Sequence, residues 1–161
     1  MKRFAPLFLF PFLLFLLQAD SISGQSPLRV SITVDHFGDD PVGRQLAAAL
    51  EETIRTSLSY ALDDPDKASV TVEMASIDVE TTESAKGTHS AVAVVITMRN
   101  QIPVEKGNPQ TWLPIYLDSS VLACGANRVN SMARSILAEV DRALEKYRSE
   151  SRKIGERFQG S

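Results

Sequence analysis

Apolar and polar side chains alternate from Leu28 to Val34, with Leu28, Val30, Ile32 and Val34 on one side and Arg29, Ser31 and Thr33 on the other. A period of two is that of a strand with one face buried. The run breaks at Asp35-His36-Phe37-Gly38-Asp39-Asp40-Pro41, residues that bond their own backbone or accept unusual dihedrals. Asp40 ahead of Pro41 predicts a helix start, because the carboxylate can cap free N–H groups and proline loses nothing at the first helical position. Leu46, Leu50, Ile54 and Leu58 then recur every four residues, while Arg44, Glu51, Glu52 and Arg55 take the other side. That spacing predicts an amphipathic helix ending before the solvated turn Asp63-Asp64-Pro65-Asp66.

Val70, Val72 and Met74 resume the period of two, and the apolar phase then moves to Ile77 and Val79. A second strand from Ser69 to about Glu80, with a bulge near Ala75 and Ser76, accounts for the shift. Thr81 to Thr88 reads as a hairpin loop. Ala91 to Met98 is almost continuously apolar and valine-rich, the pattern of a central strand buried on both faces. Arg99 to Thr111, with Pro103, Gly107 and Pro109, reads as a loop, and Trp112 to Leu122 as a fourth strand whose Pro114 suits an edge. Val129, Met132, Ile136, Val140, Leu144 and Tyr147 step by three and four and predict the second helix. The expected fold is α/β (α+β): one mixed four-stranded sheet in β-α-β-β-β-α order, with both helices packed on one face. The first two strands should be parallel and the last three an antiparallel meander.

Ahead of this pattern, Lys2 and Arg3 precede an apolar run from Phe4 to Leu17 and then small and polar residues, as in a secretory signal peptide. The run is too short for a spanning helix and is interrupted by Pro6 and Pro11. The expected organisation is a signal peptide over 1–24, a single domain over 25–150, and a charged C-terminal extension over 151–161. The expected location is periplasmic or extracellular, with no stable membrane anchor after signal cleavage. Without residues 1–24 the net charge of −3 becomes about −4, which argues against a nucleic-acid partner. The single cysteine, Cys124, cannot form an internal disulfide, so the core must hold the fold.

Candidate chemistry follows from the topology. Strands one and four would end at the same edge of the sheet, bringing His36, Asp39 and Asp40 towards Cys124, Asn127 and Arg128, in the kind of cleft where α/β sheets bind ligands. Cys124 at a helix start beside Arg128 has the setting of an activated thiolate with His36 as base. The favoured reading is a small buried residue packing the strand-to-helix corner, the usual place of a free cysteine, with intermolecular disulfide pairing as a third. Asp39, Asn127 and Arg128 are the candidate ligand-binding residues. Asp35, His36, Asp39 and Asp40 offer metal donors but lack a calcium-loop pattern, and neither a metal nor a cofactor is expected. No Gly-x-Ser-x-Gly elbow, phosphate-binding glycine loop or Cys-x-x-Cys occurs, so no enzyme class is indicated. Trp112 and Tyr116 are candidate partner contacts.

The run Val34, Phe37, Gly43, Leu46, Leu50, Ile54, Leu58, Tyr60, closing in Ser59-Tyr60-Ala61-Leu62, resembles the opening of a group of bacterial envelope α/β domains. These include the N-terminal domain of TolB and the globular part of CsgG. In that group a strand, a short turn with a phenylalanine and a helix precede a "Ser-x-Tyr-x-Leu" phrase. The resemblance implies a non-enzymatic envelope domain that docks on other proteins, and it transfers no functional residue. Together these readings give an exported envelope protein acting as a non-catalytic protein-interaction module, its partner another envelope protein or its own copies. The alternative is a small ligand-binding protein or enzyme using the cleft at the carboxyl ends of strands one and four.

Overall fold

The computed structural model describes residues 29–83, 86–102 and 111–159, without the side chains of 101, 102, 111, 112 and 157–159. The expected signal peptide, most of the loop after Arg99 and the side chain of Trp112 lie outside the described residues. The elements are β1 (Val30–Phe37), α1 (Pro41–Thr56), β2 (Tyr60–Leu62), β3 (Val70–Asp78), β4 (His89–Ile102), β5 (Thr111–Gly125), a single 3-10 turn (Ala126–Arg128) and α2 (Val129–Gln159). One sheet holds all five strands in the order β2-β1-β3-β4-β5.

β1 is parallel to both β2 and β3, and β3, β4 and β5 form the antiparallel meander. Val30, Ile32, Val70, Val72, Met74, Val92, Val94, Ile96 and Cys124 meet Leu46, Leu50 and Ile54 of α1 and Val129, Ile136, Val140 and Leu144 of α2 in one core. Both helices therefore cover one face of the sheet. Full burial of each large aliphatic side chain contributes about 1.5–3 kcal/mol. Among the described residues no helix covers the opposite face.

Four expectations change. A fifth strand exists: Tyr60–Leu62 follows the helix and pairs with Val30–Ile32, too short a segment to show any periodicity. Leu58, placed on the helical stripe by its spacing, lies beyond the C-cap Ser57 and is exposed, because the helix ends at Thr56. β3 carries no bulge at Ala75 and Ser76. Its alternation continues unbroken, with Ser76 buried on the helix side and Ile77 exposed on the other. The irregularity falls in β5, where the partner of Ile96 is Asp118 and that of Thr97 is Tyr116, making Leu117 the extra residue. Finally, β3 and not β4 is central. Only one face of β4 is fully buried, and Ala91, Ala93 and Val95 on its other face are half-buried on the side of the sheet that no described helix covers.

Pro114 does lie on an edge strand, β5, opposite Arg99. The charged C-terminal stretch continues α2 as far as Gln159, well past Leu144, the last fully packed residue of the helix. No helix among the described residues is long and apolar enough to cross a membrane.

Candidate functional site

Because β5 runs in the same direction as β1, both strands deliver their following helices at one end of the sheet. A buried polar cluster sits there, centred on Asp40. As N-cap of α1 this residue takes the Gly43 N–H on Oδ1 at 2.7 Å. The Ser90 hydroxyl donates to the same oxygen and the Ser76 hydroxyl to Oδ2. His36 Nε2 lies 2.7 Å from Ser76 Oγ. The one hydrogen of that hydroxyl is committed to Asp40, so the imidazole must be the donor. Hydrogen bonds thus run from His36 through Ser76 into Asp40, with Ser90 closing the other side.

Three of the four members, Asp40, Ser76 and Ser90, are buried. Burial pushes the Asp40 carboxyl up, but the hydroxyls of Ser76 and Ser90, the Gly43 N–H and the charge of His36 outweigh it, and the group lies below its ordinary value. Close backbone approach is built in: a Cβ on Gly43 would overlap Ser76 Oγ, and Gly38, at φ 131°, passes its backbone over the Ser76 carbonyl. The arrangement is not a catalytic triad. Its serine lies between histidine and aspartate, is buried, and donates its hydrogen to the carboxylate instead of to the imidazole.

Cys124 stands opposite Ser90 in the β4–β5 ladder and is fully buried in the core, its Sγ 3.5 Å from the Gly125 carbonyl. Burial pushes its thiol up, Asp40 adds to this, and Arg128 acts against it. Asp40 and Arg128 are the charged neighbours of Cys124, while the hydrogen bond of His36 goes to Ser76, and the buried cysteine presents no thiolate at a surface. Asp39 is exposed and takes the Arg44 guanidinium on its backbone carbonyl at 2.5 Å. Asn127 and Arg128 are exposed on the 3-10 turn. A shallow cleft of about 560 Å³ lies beside the cluster, lined by Gly38, Asp39, Asp40, Ser76, Ile77 and Lys86 among others, and none of Cys124, Asn127 or Arg128 reaches it. Among the described residues no group of three or more metal-ligating side chains occurs.

Sequence reasoning missed Ser76 and Ser90. A signal was present: each occupies a helix-facing position of a strand whose other fully buried positions are Val, Met or Ile, and a serine there needs a buried partner.

The open face is organised in rows. Phe37, Ala75, Ala93 and Val121 lie in register across four strands, and Ile77, Ala91 and Ala123 form the next row. Phe37 is 62% exposed, Ile77 66% and Val121 81%. One row further, Asp35 and Glu73 place two carboxylates beside Val95 and Ser119, and then Thr33, Thr71 and Thr97 lead to Tyr116. Tyr116 is exposed there, its hydroxyl 2.9 Å from Ser119 Oγ. Trp112 pairs with Gln101 further along β5.

No protein-family model and no curated protein matches this chain. Among solved structures it is similar to the PelC dodecamer from Paraburkholderia phytofirmans (17% identity, 72% of this chain and 85% of that one, TM-score 0.37). It is also similar to the hypothetical protein CT253 from Chlamydia trachomatis (7%, 59% and 71%, TM-score 0.31) and to the rare lipoprotein B from Shewanella oneidensis (9%, 77% and 98%, TM-score 0.27). TM-scores this low leave these as partial likenesses, and no property of those proteins transfers to this chain.

Proposed function

We propose that this is an exported envelope protein that acts without catalysis, as a module that binds another protein on the open face of its sheet. The observation carrying this reading is the apolar band of exposed Phe37, Ala75, Ile77 and Val121 with half-buried Ala93 between them, where no helix among the described residues covers the sheet. Contiguous apolar surface of this kind is costly to leave in water and marks contact sites. The carboxylates of Asp35 and Glu73 border the band, so the fitting partner is a segment with apolar side chains flanked by Lys or Arg. Tyr116, at the end of the same face, supplies a rigid aromatic contact of the sort common in interface cores. The signal-peptide pattern of the first residues and the resemblance to the envelope domains of TolB and CsgG support an envelope location.

The test is capture of the tagged, exported protein by mild cross-linking in its host, in parallel with a Phe37→Asp/Ile77→Asp variant. Both side chains are exposed, so the variant should fold. A partner captured saturably by the unsubstituted protein, lost with the variant, and binding the purified domain directly is the expected result. The same proteins captured by both would overturn the reading.

A further inference from the structure

The two edges of the sheet are unequal. β2 is only three residues long, and a strand that short is a poor template for another chain. β5 runs for fifteen residues, and among the described residues no strand pairs with its outer side. Its first half carries the devices that discourage pairing: Pro114, the extra residue Leu117 and the charge of Asp118. From Ser119 to Gly125 there is no proline, no bulge and no charge. Nor do the described residues show a backbone hydrogen bond from this segment to anything but β4. An uncharged, proline-free edge that no described residue covers is the surface to which another strand adds.

We infer that β5 is a homodimer interface, in which Ser119–Ala123 of two copies pair antiparallel about a twofold axis at Val121. The segment suits its own copy. Val121 would meet Val121 of the second copy, Ser119 would meet Ala123, and Ser120 would meet Leu122. Asp118 would fall opposite Cys124, so no charge confronts a like charge. Side chains directly opposite in such a pair stand close enough for apolar pairs to contribute. The pairing also continues the open-face row Phe37–Ala75–Ala93–Val121 into the same row of the second copy, which shields the outer flank of Val121, now 81% exposed. A twofold contact uses the same patch on both copies and closes, so the product is a dimer and not a filament. The two contacts meet at Val121, which lies at the β5 end of the open-face row, while Phe37, at the other end, lies three strands away and reports on the open face alone.

Sedimentation analysis of the exported, processed protein across micromolar to millimolar concentrations tests the inference. The unsubstituted protein should form dimers, Val121→Lys should lose them, and Phe37→Asp should keep them. Val121→Cys should give a disulfide-linked dimer on mild oxidation without denaturant, since the native Cys124 is buried and does not compete. A monomer throughout, or a dimer indifferent to Val121→Lys with no link through Val121→Cys, would overturn it. So would a monomer that captures a different protein through this edge, which would assign β5 to that partner. Loss of dimer with Phe37→Asp but not with Val121→Lys would place self-association on the open face and equally overturn the edge assignment.

Discussion

At Asp40 a single carboxylate caps α1, receives two strand hydroxyls and is held below its usual titration range, so its protonation bears on stability. An aspartate in an unfolded chain titrates near about 3.9. A depressed folded value means that the stabilisation is present above that pH and is lost as pH falls through the folded value. Thermal unfolding should therefore show a loss of stability beginning below about pH 4. Ser90→Ala removes one of the donors that hold the carboxylate ionised and should cost roughly 1–3 kcal/mol at neutral pH. Its difference from the unsubstituted protein should narrow on acidification, because a protonated carboxyl depends less on that donor. A difference constant from pH 7 to pH 3 would show that Asp40 is not the group being read. The capping role of Asp40 was legible from Asp-Pro at the head of a helical period. Its bonds to Ser76 and Ser90 were not, because those residues lie 36 and 50 positions away and only the folded sheet brings them to it.

Among elements, the short β2 is held from two sides. Tyr60 is buried beneath α2, and its hydroxyl donates to Asp141 on that helix. Burial raises the Tyr60 phenol, and the bond to Asp141 and its charge raise it further, so it remains protonated and a donor throughout the working range. Tyr60→Phe keeps the ring in the core and removes only the bond, leaving Asp141 free to find water. The expected cost in urea unfolding is about 0.5–1.5 kcal/mol, and Asp141→Asn combined with it should be clearly less than additive. Full additivity would mean that the two groups do not interact. Periodicity revealed β1, both helices and the direction of the meander, because those runs are long enough to repeat. It could not reveal a three-residue strand that contributes one buried side chain, and it misread β3. Ile77 and Val79 drew the apolar phase onto the wrong face because an exposed sheet face carrying apolar residues looks, in one dimension, like a register slip. The same open face made β4 resemble a strand buried on both sides. What the pattern obscured at the level of elements is thus the very surface proposed for binding.

For the whole molecule, Cys124 reports on cooperativity. It is sealed at the end of the sheet where β4, β5 and the starts of both helices meet, and it shares the core with residues from each. A reagent can reach its sulfur only when these elements separate, and burial, by raising the thiol, lowers its reactivity further. Local fraying at the helix ends should not suffice, since Val129 and Ala133 of α2 and Val42 of α1 belong to the same buried set. The labelling rate in native buffer should thus be slower than that of an exposed thiol by the global unfolding equilibrium, on the order of 10³-fold or more for a domain of ordinary stability. Ser90→Ala, opposite Cys124 in the ladder, should accelerate labelling by the same factor by which it lowers global stability. Equal factors would mean that the sheet end and both helices open as one unit. Rapid labelling of the native protein, insensitive to that substitution, would instead reveal a local opening beside Arg128 and return Cys124 to the list of reactive groups.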